Sequence, residues 1–424
     1  MSQQGMAPRW AAVQMLGAVL DEGRLLAELE GDKGPLARLE PAEAARARRL
    51  ATDTLRWMGR ADRLLGRYLR KMPPPAVMAL LRLSVVELCH HGEAPHGVVN
   101  TAVALTRKSR KTAHLAGMVN ATLRKVGEEG PALWPTLPLP GLPKWLRKQM
   151  VADYGKDAVE AMEAAHAAGA PLDLTAKSGD AKALAAQVGG VVLPSGTVRL
   201  QAFARVSALP GFAEGDWWVQ DAAAAMPVSL LAPQPGERIL DLCAAPGGKT
   251  MQIAAAGAQV TALDQSETRM RRVEENLART GLRAGLITAD ALAHSGVLYD
   301  AILLDAPCTA TGTIRRHPDL PYAKDSSGFS DLFALQERMI DHALGLLAPG
   351  GRLVFCTCSL LPDEGEIQIE DALKRHPGLR THPPSLPWQE DGWVTPEGGL
   401  RLRPDYWAGQ GGMDGFYMAC LSRG

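Results

Sequence analysis

Residues 238–250 read Arg-Ile-Leu-Asp-Leu-Cys-Ala-Ala-Pro-Gly-Gly-Lys-Thr. The first five predict a short buried strand, and Asp241 to Thr250 predict a tight turn that opens a helix. Gly247 and Gly248 leave the backbone bare to a ligand, and a helix N-terminus favours electronegative groups. The stretch is neither a Walker loop nor G-x-G-x-x-G, so it is poorly suited to cradle phosphates. Outward from it the rhythm repeats. Gln259-Val-Thr-Ala-Leu263, Ala284-Gly-Leu-Ile-Thr288, Ala301-Ile-Leu-Leu304 and Arg352-Leu-Val-Phe355 are further short apolar runs, with helical segments such as 267–280 and 329–347 between them. Short buried strands alternating with helices predict an α/β domain, a parallel sheet with helices on both faces, from about residue 220.

In such sheets ligands bind outside the carboxyl ends of the strands. Asp264 ends the second strand, where an acidic residue accepts hydrogen bonds from ribose hydroxyls. Asp290 follows the third. Acids at consecutive strand ends suit a nucleoside without a long phosphate tail; helix or turn capping is the alternative for each. Asp305-Ala-Pro-Cys308 follows the fourth strand and Cys356-Thr-Cys358-Ser359 the fifth. A lone cysteine is usually small apolar filler. Two on neighbouring crevice loops point to chemistry. Cys308, Cys356 and Cys358 lack paired C-x-x-C spacing and nearby histidines, so no metal site is expected. A thiolate beside a nucleoside can activate cytosine: addition to C6 makes C5 enamine-like and able to attack a methyl donor.

The remaining chain has a different character. Residues 8 to about 127 are rich in Ala, Leu and Arg at helical spacing, broken at Gly31 to Pro35, Met72 to Pro75 and Gly92 to Gly97. Arg107, Lys108, Arg110 and Lys111 form a basic run. Prolines crowd residues 131–143, which reads as a linker. Residues 144–219 read as a helix followed by a small mixed α/β subdomain. The chain has 424 residues, 46 Lys/Arg and 46 Asp/Glu. That neutrality hides a division: residues 1–150 hold 23 basic and 13 acidic side chains (23 − 13 = +10), and the rest hold 23 and 33 (23 − 33 = −10). Such asymmetry accompanies nucleic-acid partners. An apolar fraction of 46% excludes a wholly disordered chain. No long apolar run predicts a membrane span, the start Met-Ser-Gln-Gln-Gly lacks a leader pattern, and six sparse cysteines fit a reducing cytoplasm.

DLCAAPGGKT (241–250), DAPCTATGTIRRHPD (305–319), TCSLLPDEGE (357–366) and GGMDGFYMACL (411–421) resemble the motifs of S-adenosylmethionine-dependent RNA 5-methylcytosine methyltransferases. The likeness runs from about residue 144 onward. LRLSVVELCHHGEAPHGVVNTAVALTRK and GMVNATLRK (117–125) resemble the NusB-like helical RNA-binding domain, a fusion characteristic of the Sun/RsmB ribosomal RNA methyltransferases. The resemblance implies a multidomain chain: an all-α NusB-like domain over 1–130, the linker 131–143, a small RNA-binding subdomain over 144–219, and a Rossmann-like methyltransferase domain over 220–424. It implies Cys358 as nucleophile and Cys308 as the residue that helps release the covalent adduct. Cys243, Ala244, Ala245, Pro246, Gly247, Gly248 and Lys249 match the cofactor loop, Asp264 the ribose ligand and Asp290 the adenine-side acid. Asp305 matches the border between cofactor and cytosine, and Lys249 is implied to help orient the base. Arg315, Arg316 and His317 are expected to touch RNA beside the pocket, with the 107–111 run docking it. The family's usual Arg-Asn pair in the subdomain is replaced here by Leu174-Thr175.

The expected activity is therefore cytosine-C5 methylation of RNA, with small-subunit ribosomal RNA, naked or in an assembly intermediate, as partner, and neither membrane nor DNA. Transfer RNA or another RNA is the alternative substrate, and a non-catalytic RNA-binding assembly factor the alternative class.

Overall fold

The structure is a computed structural model that describes residues 5–31, 33–201 and 205–423. Residues 1–4, part of the stretch read above for a leader, lie outside the described residues. The chain forms two compact units: one runs to Ala167 and takes in Arg316–Ser326, and the other comprises Ala168–Arg315 and the chain from Ser327 onward.

The first unit is helical: α1 Met6–Glu22, α2 Pro41–Leu65, α3 Pro75–Cys89, α4 Pro95–Lys108, α5 Ala116–Leu133, α6 Lys144–Tyr154 and α7 Lys156–Ala168. Two of the breaks read from sequence, at Pro75 and Pro95, become helix starts, as does Pro41. Pro41, Pro75 and Pro95 each sit in the first turn, where the fixed φ suits the helix and no N–H is needed. α3 is buried almost all round, from Val77 to Leu88, so it forms the centre of the unit. Its buried Glu87 is held by Arg9 Nε at 2.7 Å. The proline-rich stretch is pinned to this unit. Trp134 is buried beside Trp57, with Arg60 over both rings, and Arg60 and Arg63 donate to the Pro138 carbonyl at 3.3 and 3.2 Å. The segment Arg316–Ser326, with the short helix α12 (Leu320–Ala323), joins through Asp319, which accepts the Leu26 N–H at 2.8 Å.

The second unit opens with a small antiparallel sheet: β1 Leu172–Ala176, β2 Val191–Val192, β3 Val198–Leu200 and β4 Trp217–Val219, in the order β2-β3-β1-β4, covered by α8 (Ala181–Val188). Strand alternation sends adjacent tryptophans to opposite faces. Trp217 fills the small core, and Trp218 packs on Met251, Met270 and Val273.

The large sheet holds β5 Arg238–Leu242, β6 Gln259–Asp264, β7 Gly285–Thr288, β8 Tyr299–Asp305, β9 Leu347–Thr357, β10 Leu379–His382, β11 Leu400–Leu402 and β12 Phe416–Arg423. The order is β10-β12-β9-β8-β5-β6-β7, with β11 beside β12. β5 to β9 are parallel, and β12 runs antiparallel to β9, β10 and β11. The expected Rossmann-like parallel core is therefore present, extended by an antiparallel edge. Along β8, Ile302 and Leu304 face one apolar layer with Met339 and Ile340, while Ala301 and Leu303 face the other with Met226 and Ile253. Strand order reverses at β5: β6 and β7 lie to one side, β8 and β9 to the other. That switch opens a crevice at the carboxyl ends of β5 and β8. Among the described residues, no helix is long and apolar enough to cross a membrane.

Candidate functional site

The loop leaving β5 must turn sharply to start α10 (Gly248–Ala255). Cys243 takes a left-handed φ of 62°, costly for a residue with a side chain, and Gly247 adopts φ 101° at the helix N-cap. A Cβ on Gly247 would lie 3.2 Å from Val273 Cγ1, so helix α11 (Glu267–Thr280) packs directly on the turn. Beneath the loop, Asp241 is fully buried and accepts the Thr250 hydroxyl at 2.5 Å. Burial raises its carboxyl to about 7, helped by Asp305 and Asp264 and opposed by the Thr250 bond and Lys249.

A cleft of about 380 Å³ lies over these strand ends. Cys243, Asp264, Asp290, Asp305, Cys308 and Cys358 all line it, so six of the residues singled out by sequence meet at one place. Asp264 Oδ2 accepts the Ala245 N–H at 3.3 Å and Oδ1 the Ser266 N–H at 3.0 Å, fixing the carboxylate. Asp290 accepts the Leu292 N–H at 3.0 Å, so it caps a turn and lines the cleft at once. The readings offered as alternatives for Asp290 are compatible. Lys249 reaches Asp305 Oδ2 at 2.8 Å and lies 5.2 Å above the Phe416 ring. Burial disfavours its charge, but Asp305 overcomes that and raises its pKa.

The sulfurs of Cys308 and Cys358 stand 3.5 Å apart, within thiol hydrogen-bond range. Both residues are half-buried. The Cys308 thiol is pushed well up, first by its bond to Cys358 and then by burial. Cys356 differs. It is wholly buried in the apolar layer under the sheet, touches Asp305 Oδ1 at 3.6 Å, and has its thiol raised mainly by burial. Its surroundings are those of a packing residue, unlike the cleft-lining Cys358. The two thiol-bearing loops are tied together. Gly312 donates to the Cys358 carbonyl at 3.0 Å and accepts from Gly415 at 2.8 Å. A side chain on Gly312 would strike the Gly415 carbonyl, its Cβ only 1.9 Å away, so the loop tolerates none there.

Arg315 departs from its expected role as an RNA contact. It is wholly buried, with Nε 2.9 Å from Asp414 and Nη2 2.5 Å from Asp221, and it donates to the Gly411 carbonyl at 2.9 Å. Two buried carboxylates need an internal cation, and Arg315 supplies it. Replacing Arg315 with Met should destabilise this unit by roughly 3–5 kcal/mol, because two carboxylates lose their partner. Arg316→Met, at an exposed position, should stay within about 0.5 kcal/mol. Urea unfolding followed by tryptophan fluorescence checks both, and equal midpoints would refute the internal-clamp account. Arg316 and His317 are exposed. Leu174 is buried in the small core and Thr175 donates to Gln220 at 3.0 Å, so the replaced pair serves packing here. In the helical unit Arg107, Lys108, Arg110 and Lys111 are all exposed, and none forms an ion pair among the described residues.

Sequence reading placed a helix at 329–347 but not its residues in the cleft. α13 (Phe329–Gly345) contributes Leu335, Arg338 and Met339, and α11 contributes Arg269, which donates to the Ala245 carbonyl at 2.7 Å. The signal was available: 335, 338 and 339 share one helix face, next to the strand end that bears Cys308. Among the described residues, no group of three or more His, Cys, Asp or Glu side chains is disposed to hold a metal ion.

Comparison with known proteins follows the same division. Residues 228–422 match the family described as 16S rRNA methyltransferase RsmB/F, and residues 6–128 match the NusB family. The chain is 37% identical over 89% of its length to ribosomal RNA small subunit methyltransferase B of Xanthomonas campestris, covering 90% of that protein. It is 36% identical to the protein of the same name from Pseudomonas putida, over 98% of each. The crystal structure of PH0851 superposes over all of both chains with a TM-score of 0.75 at 24% identity, which speaks for the fold.

Proposed function

Because the chain belongs to the ribosomal RNA small subunit methyltransferase B family, we propose that it methylates C5 of a cytosine in 16S rRNA, using S-adenosylmethionine and a covalent Cys358 adduct. The observation that carries this reading is the pair of sulfurs 3.5 Å apart at the edge of a cleft whose strand ends bear carboxylates.

The cleft fits the cofactor. Asp264 and Asp290 are acceptors for ribose and adenine edges, Leu263, Leu292 and Met339 offer apolar surface, and Asp264 and Asp305 suit a sulfonium cation. When bound, S-adenosylmethionine supplies an electrophilic methyl group. Cys358, as thiolate, adds to C6 of a cytosine swung out of its stack, and electron density moves to C5. Lys249, held charged by Asp305 at 2.8 Å, takes the role of orienting the base in this reading. After methylation C5 loses its proton, the C5–C6 double bond re-forms, and the C6–S bond breaks to return the electron pair to Cys358. Cys308, kept protonated by its raised pKa, donates its S–H to that departing sulfur.

The exposed cations at 107–111 supply sequence-independent attraction to phosphate, which salt weakens. Arg316 and His317 are retained as RNA contacts, and the cytoplasm as the site of action. Bisulfite sequencing of total RNA from cells with and without this protein is the direct test. One 16S cytosine should lose its protection when the protein is absent. An unchanged 16S pattern would overturn the substrate; a loss confined to transfer RNA would move it.

A further inference from the structure

The cysteine chemistry leaves one buried acid without a task. Glu364 is fully buried, six residues beyond Cys358 in the TCSLLPDEGE stretch. Its carboxylate accepts the Thr309 N–H at 2.9 and 3.2 Å, the Thr309 hydroxyl at 2.5 Å, and the Gln336 amide at 3.0 Å. Gln336, also fully buried, donates at 2.8 Å to the Pro307 carbonyl. Cys308 is thus held from both sides, through the residue before it and the residue after it. The same acid is anchored to the other loop: its own carbonyl accepts the Thr357 hydroxyl at 2.8 Å, next to Cys358. The Gln336 oxygen finds no partner among the described residues, so that amide serves the bracket at a cost in hydrogen bonding. Ala310, in the bracketed loop, has a left-handed φ of 60°, a conformation that persists only where its surroundings enforce it. Glu364 does not line the cleft, so it acts through Cys308 and not on the ligand.

We infer that Glu364, with Gln336, is a positioning pair that holds the Cys308 sulfur against Cys358 and thereby sets how fast the covalent adduct is released. The inference rests on the proposed cysteine chemistry. In the release step C5 gives its proton to solvent, the double bond re-forms, and the C6–S bond breaks with its electrons returning to sulfur. A displaced Cys308 cannot donate to that sulfur, whereas the addition step needs only Cys358.

The test is Glu364→Gln in the full chain, with Thr309→Val as a milder variant that removes one hydroxyl and keeps the fold. Both are given RNA substrate and S-adenosylmethionine. Turnover should fall roughly 10–100-fold for Glu364→Gln, the scale of a small misplacement of a reacting group. The initial rate of adduct formation should change less than about threefold, so adduct accumulates on a denaturing gel. Thr309→Val should shift the same partition in the same direction. A merely structural role would lower formation and release together, and that result would overturn the inference, as would wild-type partition. A second readout needs no RNA. Diamide oxidises neighbouring thiols to a disulfide while being reduced to the hydrazine, and peptide mapping should find Cys308 joined to Cys358 several-fold more slowly in Glu364→Gln. Equal rates, or no such disulfide in the wild type, would also overturn it. Full activity in Cys358→Ala would instead remove the reading on which the inference stands.

Discussion

Cys358→Ala should lower methyl transfer by a factor on the order of 10⁴ or more, the scale seen when a nucleophile is removed. Cytosine C5 carries little nucleophilic density until C6 is saturated, and no other sulfur in the site can take over. Burial, then Asp305, pushes the Cys243 thiol up; the bond to Cys358, then burial, does the same for Cys308; and Cys356 is wholly buried in the apolar layer against the sheet. S-adenosylmethionine affinity should hold within about threefold, since the acids and apolar surface of the cleft are untouched. Calorimetry for binding and tritium transfer to 16S RNA make the comparison. Full transfer by the alanine variant would dispose of the covalent mechanism, and lost binding would mean that the substitution damaged the cleft.

Cys308→Ala should have the opposite signature. Addition and methylation proceed, but the sulfur leaving C6 lacks its S–H donor at 3.5 Å. Removing one preorganised donor typically costs about 10²–10³ in rate. Turnover should fall by that much while a slow-migrating RNA–protein species accumulates. The species should require S-adenosylmethionine and vanish in the Cys308→Ala/Cys358→Ala double variant. An inactive single variant without adduct would assign Cys308 to the addition step.

Much of this site was legible in the sequence because its residues stand at strand ends. Asp264, Asp305 and Cys358 each close, or directly follow, an apolar run, so the open-sheet rule alone placed them in one crevice. The parallel core was legible for the same reason: β5, β6, β8 and β9 are apolar runs with helices between. The antiparallel edge was not. Phe416–Leu421 is as apolar as β8, and nothing local in a strand fixes its direction; the connection that precedes it does. Arg315 was misplaced because a motif run of Arg-Arg-His looks uniformly basic. Only the fold reveals that Asp221 and Asp414, far away in sequence, claim one of the three. Glu364 escaped for a related reason. Its partners Thr309 and Gln336 come from separate segments, and their convergence is a property of packing.

The contact between Gly312 and Gly415 has a consequence for how the protein is made. The thiol loops leave the ribosome well before Gly415 and the strand β12 that follows it. Chains fold from the N-terminal side during synthesis, at about 5–20 residues per second. The helical unit's first six helices can therefore collapse early, while Cys308 and Cys358 emerge onto a sheet edge that β12 has yet to cover. Until that late strand docks on β9, Gly415 is missing as the loop's neighbour and Asp414 is missing as the partner of Arg315. A chain terminated before β12 would therefore carry both cysteines on loops that lack the backbone bond from Gly415 to Gly312 and the ion pair of Asp414 with Arg315.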